Sequence, residues 1–275
     1  MRKHQLNIKQ FLKYIKYFSY YLERLGRQMN GMDLEEPDTN GEYKVLESIV
    51  KNSKGSLCFI DGGSNIGNHI IRFNSHVKKY RISESIVFAV EPFPSAIEIL
   101  RKNLSYTNYK LIDKALGHEI GQTKFYSDDQ AAAGWNSVLP RDVLNTDEPI
   151  EVAMTTLDAI IQNNSLEKVN FLKLDIEGYE YNALLGAKLA LEKGLIDYIQ
   201  VEYGGTWLEA NSSIKKLMIL AKKYSYRLYR IRKNDLLSIP SYHVSLDSFA
   251  YSNLLLVKDG CDLPLPSKRK ANPLI

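Results

Sequence analysis

The stretch Phe59-Ile60-Asp61-Gly62-Gly63-Ser64-Asn65-Ile66-Gly67 constrains this chain more than any other. It joins a short apolar run at residues 57–61 to a helical pattern at 66–77 through a turn with glycines at 62, 63 and 67. Glycines there let the backbone turn sharply and approach a ligand with no Cβ in the way. The following helix points its unpaired amides at the same spot. Strand, glycine turn and helix in that order open a β-α-β unit. Further strand-like runs at 86–91, 109–116, 169–175 and 196–202 alternate with helical stretches at 94–104, 179–191 and 212–224. Small strands at 123–126 and 152–155, a short helix at 157–162, a loop at 128–149, and late strands at 226–231 and 249–257 complete the pattern. Successive β-α-β units predict an α/β fold: a doubly wound, Rossmann-like, mostly parallel sheet covered on both faces.

The chain has 275 residues, enough for one large α/β domain. Its formal charge of +4 is uneven: residues 1–30 hold seven Lys/Arg against one Glu, a net +6, which leaves −2 for the rest. The basic character therefore belongs to an N-terminal extension, and no nucleic-acid-binding core is implied. Within that extension Phe11, Leu12, Ile15, Phe18, Leu22 and Leu25 recur at helical period, with Lys9, Lys13, Lys16 and Arg24 mostly off the stripe. Such a helix packs on its own domain or a second subunit, or lies on an anionic membrane surface. The polar, turn-rich residues 30–41 read as a linker, dividing the chain into an extension (1–40) and a main domain (41–275). The tail from Pro264 reads as loosely held. Two cysteines, no apolar run of membrane-span length and no signal-peptide core lead to a cytoplasmic expectation, with membrane contact only through the first helix.

Ligands of a doubly wound sheet sit beyond the carboxyl ends of the strands, where the strand order reverses. Two cofactor classes use a glycine turn there. A dinucleotide places its pyrophosphate on the helix N-terminus, commonly with G-x-G-x-x-G. Here an acid, Asp61, stands at the strand end; it repels a pyrophosphate but suits a cationic amino-acid moiety. That favours S-adenosylmethionine over NAD. Glu91 ends the second strand 24 residues after Gly67, where a carboxylate accepts hydrogen bonds from ribose hydroxyls of either cofactor. The candidate cofactor set is Asp61, Gly62, Gly63, Asn65, Gly67, Glu91 and Ala115. The competing reading is a structural strand-turn-helix with incidental glycines.

The fourth main strand runs into Lys173-Leu174-Asp175-Ile176-Glu177-Gly178-Tyr179-Glu180. Strand alternation puts Lys173 and Asp175 on one face, and a buried lysine needs an anionic partner. Asp175 then emerges beside the expected pocket, and Glu202, ending the next strand, faces the same crevice. Methylating an alcohol oxygen requires loss of a weakly acidic proton. A carboxylate can take it, or can hold a divalent ion (Mg or Mn) that acidifies the hydroxyl. The candidate catalytic residues are Asp175, Glu202 and Lys173, with Glu177 assisting; Asp175 and Glu202 are the ligands in the metal-dependent case. Glu177 and Glu180 also favour a helix N-terminus without any chemistry. His69 and His118 read as structural. Trp135-Asn136-Ser137, Tyr203 and Trp207 read equally as substrate walls or core anchors.

At these residues the chain resembles the FkbM family of methyltransferases. The matching stretches are 59–67, Val90-Glu91-Pro92, Thr156-Leu157-Asp158, 173–180 and Leu185-Gly186-Ala187. The resemblance implies a class I methyltransferase sheet, transfer from S-adenosylmethionine, and a hydroxyl of a sugar, glycan or natural product as acceptor. Two rivals stand beside it: a dinucleotide-binding oxidoreductase or epimerase, and a non-catalytic nucleoside-binding module.

Overall fold

The computed structural model describes residues 8–127, 136–140 and 149–268, with the backbone alone described for 8–14. The chain opens with α1 (Ile8–Met29), a short α2 (Pro37–Asn40) and α3 (Glu42–Asn52). Next come β1 (Leu57–Gly62), α4 (Asn68–Tyr80), β2 (Ser85–Val90), α5 (Pro94–Asn103) and β3 (Lys110–Ile112). A separate three-stranded sheet holds β4 (Ala115–Leu116), β5 (Gly121–Phe125) and β6 (Ile150–Thr155) in the order β4-β6-β5. The second half runs α6 (Leu157–Asn163), β7 (Val169–Leu174), α7 (Glu180–Leu185), α8 (Lys188–Glu192) and β8 (Ile196–Tyr203). It ends with α9 (Thr206–Glu209), α10 (Ile214–Lys223), β9 (Tyr226–Ile231), β10 (Leu236–Ser238), β11 (Ser252–Lys258) and β12 (Ser267–Lys268).

The main sheet has the order β12-β10-β9-β11-β8-β7-β1-β2-β3. Strands β3, β2, β1, β7 and β8 are parallel neighbours, and β11 runs antiparallel between β8 and β9. This is the doubly wound, Rossmann-like, mostly parallel sheet expected from the sequence. Its order reverses between β1 and β7, so the crevice for a ligand opens at their carboxyl ends. Both strands are buried along their whole length because helices cover the two faces. On one face Phe59 stacks on Phe171 at 5.3 Å and tilts against Phe73 of α4. On the other, Ile60, Leu172 and Leu174 meet Ala183, Leu184 and the apolar side of α10. Pro94 opens α5 as its fixed φ allows, and Ser213 caps α10 by accepting the Lys216 amide.

Several boundaries differ from the sequence reading, each for a local reason. The run 109–116 is two strands: Lys110–Ile112 pairs with β2, and Ala115–Leu116 crosses to pair with β6. The helix at 179–191 breaks at Gly186, where any Cβ would collide with the carbonyl oxygen of Gly117. The helix after the glycine turn starts at Asn68 because Gly67 is left-handed, φ +90°. The last long strand starts at Ser252, since Phe249 sits at φ +53°.

Residues 30–41 are packed on the body of the protein. The Asp33 amide donates to the Tyr251 carbonyl at 2.8 Å, Met32 bridges Ser252, and Asn40 is buried. The start of the tail is likewise tied down. Leu236 donates its amide to the Pro266 carbonyl at 2.8 Å, β12 pairs with β10, and Lys268 bridges Asp235 at 3.1 Å. In α1 the side chains from Ile15 to Leu25 are exposed.

Candidate active site

Three strand ends are locked together at the order reversal. The Gly63 and Ser64 amides donate to the Val90 carbonyl at 2.9 and 3.1 Å. The Ser64 hydroxyl donates to the Asp61 carbonyl at 2.7 Å and accepts from the Val90 amide at 3.0 Å. From the other side the Asp175 amide donates to the Gly62 carbonyl at 2.9 Å. Gly63 makes this approach feasible. It sits at φ +79°, and the Asp175 carbonyl occupies the place a Cβ would need. The Asn65 amide donates to Glu91 Oε2 at 2.9 Å, tying the turn to the end of β2.

Over these ends opens a cavity of about 530 Å³, with an adjoining one of about 280 Å³. The larger is of a size that holds a nucleoside cofactor together with part of a second molecule. One wall carries Gly63, Asn65, Glu91, Ala115, Leu116 and Phe125, and a second carries Asp175, Glu177, Glu202 and Thr206. A third wall comes from sequence-distant segments: Glu35, Pro37 and Glu42 near the N-terminus, and Tyr251 beside β11. The smaller cavity shares Gly63, Asn65, His69 and Asp175 with the larger and adds Tyr43 and Lys173.

Of the expected cofactor residues, Gly63, Asn65, Glu91 and Ala115 line the larger cavity. Asp61, Gly62 and Gly67 line neither. Asp61 is 1% exposed, pairs in register with Lys173 on β7, and leaves Oδ1 without a hydrogen-bond partner. Burial pushes its carboxyl up, opposed by the charges of Lys173 and His69. The side chain expected to greet the cofactor thus belongs to the buried charge cluster beneath it. A Cβ at Gly62 would crowd the methyl groups of Leu116 and Leu174 at 2.7 and 2.9 Å, and Gly67 sits at φ +90°. The negative charge facing the cavity comes instead from Glu91, Asp175 and their neighbours.

Glu91 accepts the Phe93 amide at Oε1, 3.0 Å, and the Asn65 amide at Oε2. Each oxygen keeps a lone pair for a ligand. Burial is the main influence on its carboxyl, which is pushed up to about 7 despite those two amides.

At the end of β7 the Lys173 ammonium, 2% exposed, donates to Asp175 Oδ2 at 2.8 Å. Burial works against the lysine's charge, but the carboxylates of Asp175, Asp61 and Glu42 outweigh it and hold the group above the ordinary lysine value. Asp175 faces the cavity with 32% of its side chain exposed. Burial raises its carboxyl, but Lys173 and a hydrogen bond from Glu202 bring it below the usual aspartate value. Glu202 moves the opposite way, well above the ordinary glutamate value, through burial and the adjacent charges of Asp175 and Glu177. Of the two, Asp175 is thus held toward its ionised form by Lys173, and Glu202 toward its neutral form by burial and its anionic neighbours. Oxygens of Asp175, Glu177 and Glu202 all lie within 4.8 Å of one another.

The sequence reading missed Glu42. Its carboxylate is 4% exposed and accepts from Gln200 Nε2 at 2.6 Å and Asn253 Nδ2 at 2.9 Å, with His69 Nε2 at 3.3 Å. Burial opposes its charge, yet His69 and Lys173 hold it below the ordinary glutamate value. The available signal was Gln200 and Asn253, polar residues inside apolar strands that had to find a partner. His69 therefore belongs to the site, whereas His118 is half exposed and lines neither cavity. Glu180 is structural: its carboxylate turns back to accept the Ile176 and Gly178 amides at 2.9 and 3.1 Å. Tyr203 and Trp207 are core, edge-to-face at 5.2 Å, with Trp207 Nε1 donating to the Glu202 carbonyl at 2.8 Å. Asn136 lines the cavity, Ser137 donates its hydroxyl to the Glu177 carbonyl, and Trp135 lies outside the described residues.

The methyltransferase FkbM domain matches residues 61–228 of this chain. The hexuronic acid methyltransferase AglP of Haloferax volcanii is 25% identical over 167 residues, 60% of this chain and 63% of AglP. The chain thus spans less than two thirds of that relative's length. Among solved structures, the precorrin-6y C5,15-methyltransferase of Geobacter metallireducens GS-15 aligns over 79% of this chain and 88% of its own, at 11% identity and TM-score 0.38. An rRNA methylase of Streptococcus thermophilus aligns over 82% and 98%, at 12% identity and TM-score 0.40.

Proposed function

The chain belongs to the FkbM methyltransferase family, and from that premise we propose that it moves a methyl group from S-adenosylmethionine to a hydroxyl oxygen of a sugar-containing acceptor. The observation that carries this reading is Asp175. It is a carboxylate kept ionised by a buried lysine, at the order reversal of the sheet and open to the cavity. The sugar class rests on similarity to the hexuronic acid methyltransferase AglP alone.

The residues present suit a cationic nucleoside. Residues 61–69, which would cradle a pyrophosphate, contain no Lys or Arg, while Glu91 and Asp175 offer acceptors to donors. The Asn65 side-chain oxygen is buried without a partner beside the same cavity. Glu91 would hold the ribose hydroxyls, and Ala115, Leu116 and Phe125 would supply an apolar face to the base. When bound, S-adenosylmethionine supplies a methyl group made electrophilic by a positively charged sulfur.

The protein's own task is to position the acceptor and manage its proton. Asp175 takes the hydroxyl proton onto its carboxylate. Glu202, whose surroundings favour its neutral form, hydrogen-bonds Asp175 and orients it. Lys173 stays charged throughout and holds Asp175 in its ionised form. Asp175, Glu177 and Glu202 are also close enough to share one divalent ion, which would displace the Glu202 proton and acidify the hydroxyl directly. A chelator separates the two routes, because turnover that survives it leaves Asp175 working alone.

A thermal-shift titration tests the cofactor class: stabilisation by S-adenosylhomocysteine and none by NAD is expected, and the reverse refutes the reading. Methyl-labelled cofactor incubated with extracted glycans then tests the acceptor.

Glu91 gives the binding a pH signature. Hydroxyl donors need its carboxylate, and with a midpoint near 7 only roughly a tenth is ionised one unit below. The affinity for S-adenosylhomocysteine should therefore rise about tenfold from pH 6 to pH 8 by calorimetry. The stability of the free protein has the opposite sign. A carboxyl raised in the folded state binds more protons folded than unfolded, so ionising Glu91 costs stability as pH climbs from its ordinary range to about 7. In Glu91→Gln the pH dependence of binding should vanish. A variant that keeps the slope takes Glu91 out of the contact.

A further inference from the structure

We propose that α1 is a peripheral docking helix for an anionic lipid bilayer. Its described side chains place Ile15, Phe18, Leu22, Leu25 and Met29 at spacings of three and four, one continuous row along the helix. Each is 40–69% exposed. At its end α1 is joined to the body through Arg232 Nη1 on the Met29 carbonyl and the Arg27–Asp33 pair.

Charge selects the occupant. Residues 1–30 carry a net +6. A second copy laid on this helix would bring an equal positive charge to the same place. An anionic bilayer offers opposite charge in its headgroups and an apolar layer beneath them, and so satisfies both sides of the helix at once. No helix among the described residues is long and apolar enough to cross a membrane, so α1 lies in the interface. Tyr20 and Tyr21, both well exposed, flank the apolar row with rings suited to the headgroup layer.

The helix is not connected to the body by a free tether. Directly after it, Met32 and Asp33 are fastened to Ser252 and Tyr251, and Glu35 and Pro37 then line the larger cavity. A docked α1 holds the cavity mouth near the headgroups.

The full chain should be sedimented with phosphatidylcholine vesicles, pure or half phosphatidylglycerol, and compared with the double variant Phe18→Glu, Leu22→Glu. Binding to the anionic vesicles is expected to exceed binding to the neutral ones by on the order of tenfold or more, and to fall in high salt. The double variant should lose it while keeping the wild-type melting temperature and the S-adenosylhomocysteine shift, which separates this inference from the methyl-transfer reading. Failure of the wild type to sediment with anionic vesicles, or equal sedimentation of wild type and variant, overturns the proposal. So does a wild type that is dimeric by light scattering and becomes monomeric in the variant, which would assign the face to a second copy.

Discussion

Asp175→Asn is expected to lower turnover by about 10²–10⁴ while leaving S-adenosylhomocysteine binding nearly unchanged. The substitution keeps the shape of the side chain and a contact for the Lys173 ammonium but removes the anionic oxygen proposed to take the proton. Lys173 still has the carboxylates of Asp61 and Glu42 nearby, so the buried cation is not abandoned and the fold should hold. Glu202→Gln is the matched control. Burial and the charges of Asp175 and Glu177 favour the neutral form of Glu202, which an amide imitates, and activity should stay within about tenfold of wild type. Initial rates with labelled cofactor, beside calorimetry with S-adenosylhomocysteine, distinguish the two variants. If Asp175→Asn turns over as fast as wild type, another group handles the proton; if Glu202→Gln is the dead variant, the roles are exchanged.

Gly63→Ala should be the most damaging single methyl in the molecule, costing on the order of 4 kcal/mol or more. Two penalties coincide there. The residue is left-handed, and the new Cβ would occupy the position of the Asp175 carbonyl oxygen, a backbone atom that cannot swing aside. Relief requires β1 and β7 to part, which breaks the bond from the Asp175 amide to the Gly62 carbonyl. With a total folding stability of about 5–15 kcal/mol, such a loss should appear as poor soluble yield or a large fall in denaturation midpoint. Gly204→Ala, on the same cavity but with open space where its Cβ would go, should change stability by no more than about 0.5 kcal/mol. A Gly63→Ala protein as stable as Gly204→Ala would mean that the strand ends are not clamped as described.

The legible part of this molecule was the part encoded in neighbouring residues. Apolar runs between turn signals located β1, β2 and β6 to β9, and a lysine two residues before an aspartate in an apolar strand foretold their ion pair. The glycine turn and Glu91 marked one wall of the cavity. Features that depend on distant partners were hidden. Residues 109–116 carry no local sign of a break, because the switch at Asp113-Lys114 is set by β6, some forty residues later in the chain. Asp61 read as a ligand-facing acid, since a strand end shows its neighbours along the chain but not Lys173 across the sheet. Glu42 opens α3, whose Val45, Leu46, Ile49 and Val50 do recur at helical period, but nothing along that helix tells what its buried face meets. Only the unmet polar demand of Gln200 and Asn253 pointed toward it.

The two sides of the cavity have separate origins. Gly63, Asn65, Glu91 and Asp175 fall inside residues 61–228, the portion shared with other members of the family. Glu35, Pro37, Glu42 and Tyr251 come from before and after it, drawn together by the fastening of residues 32 and 33 to 251 and 252. On the proposed function, replacing residues 35–42 together with Tyr251 should change which acceptors are admitted and leave the affinity for S-adenosylhomocysteine as it was, because this flanking cuff is carried on separate segments from Gly63, Asn65 and Glu91.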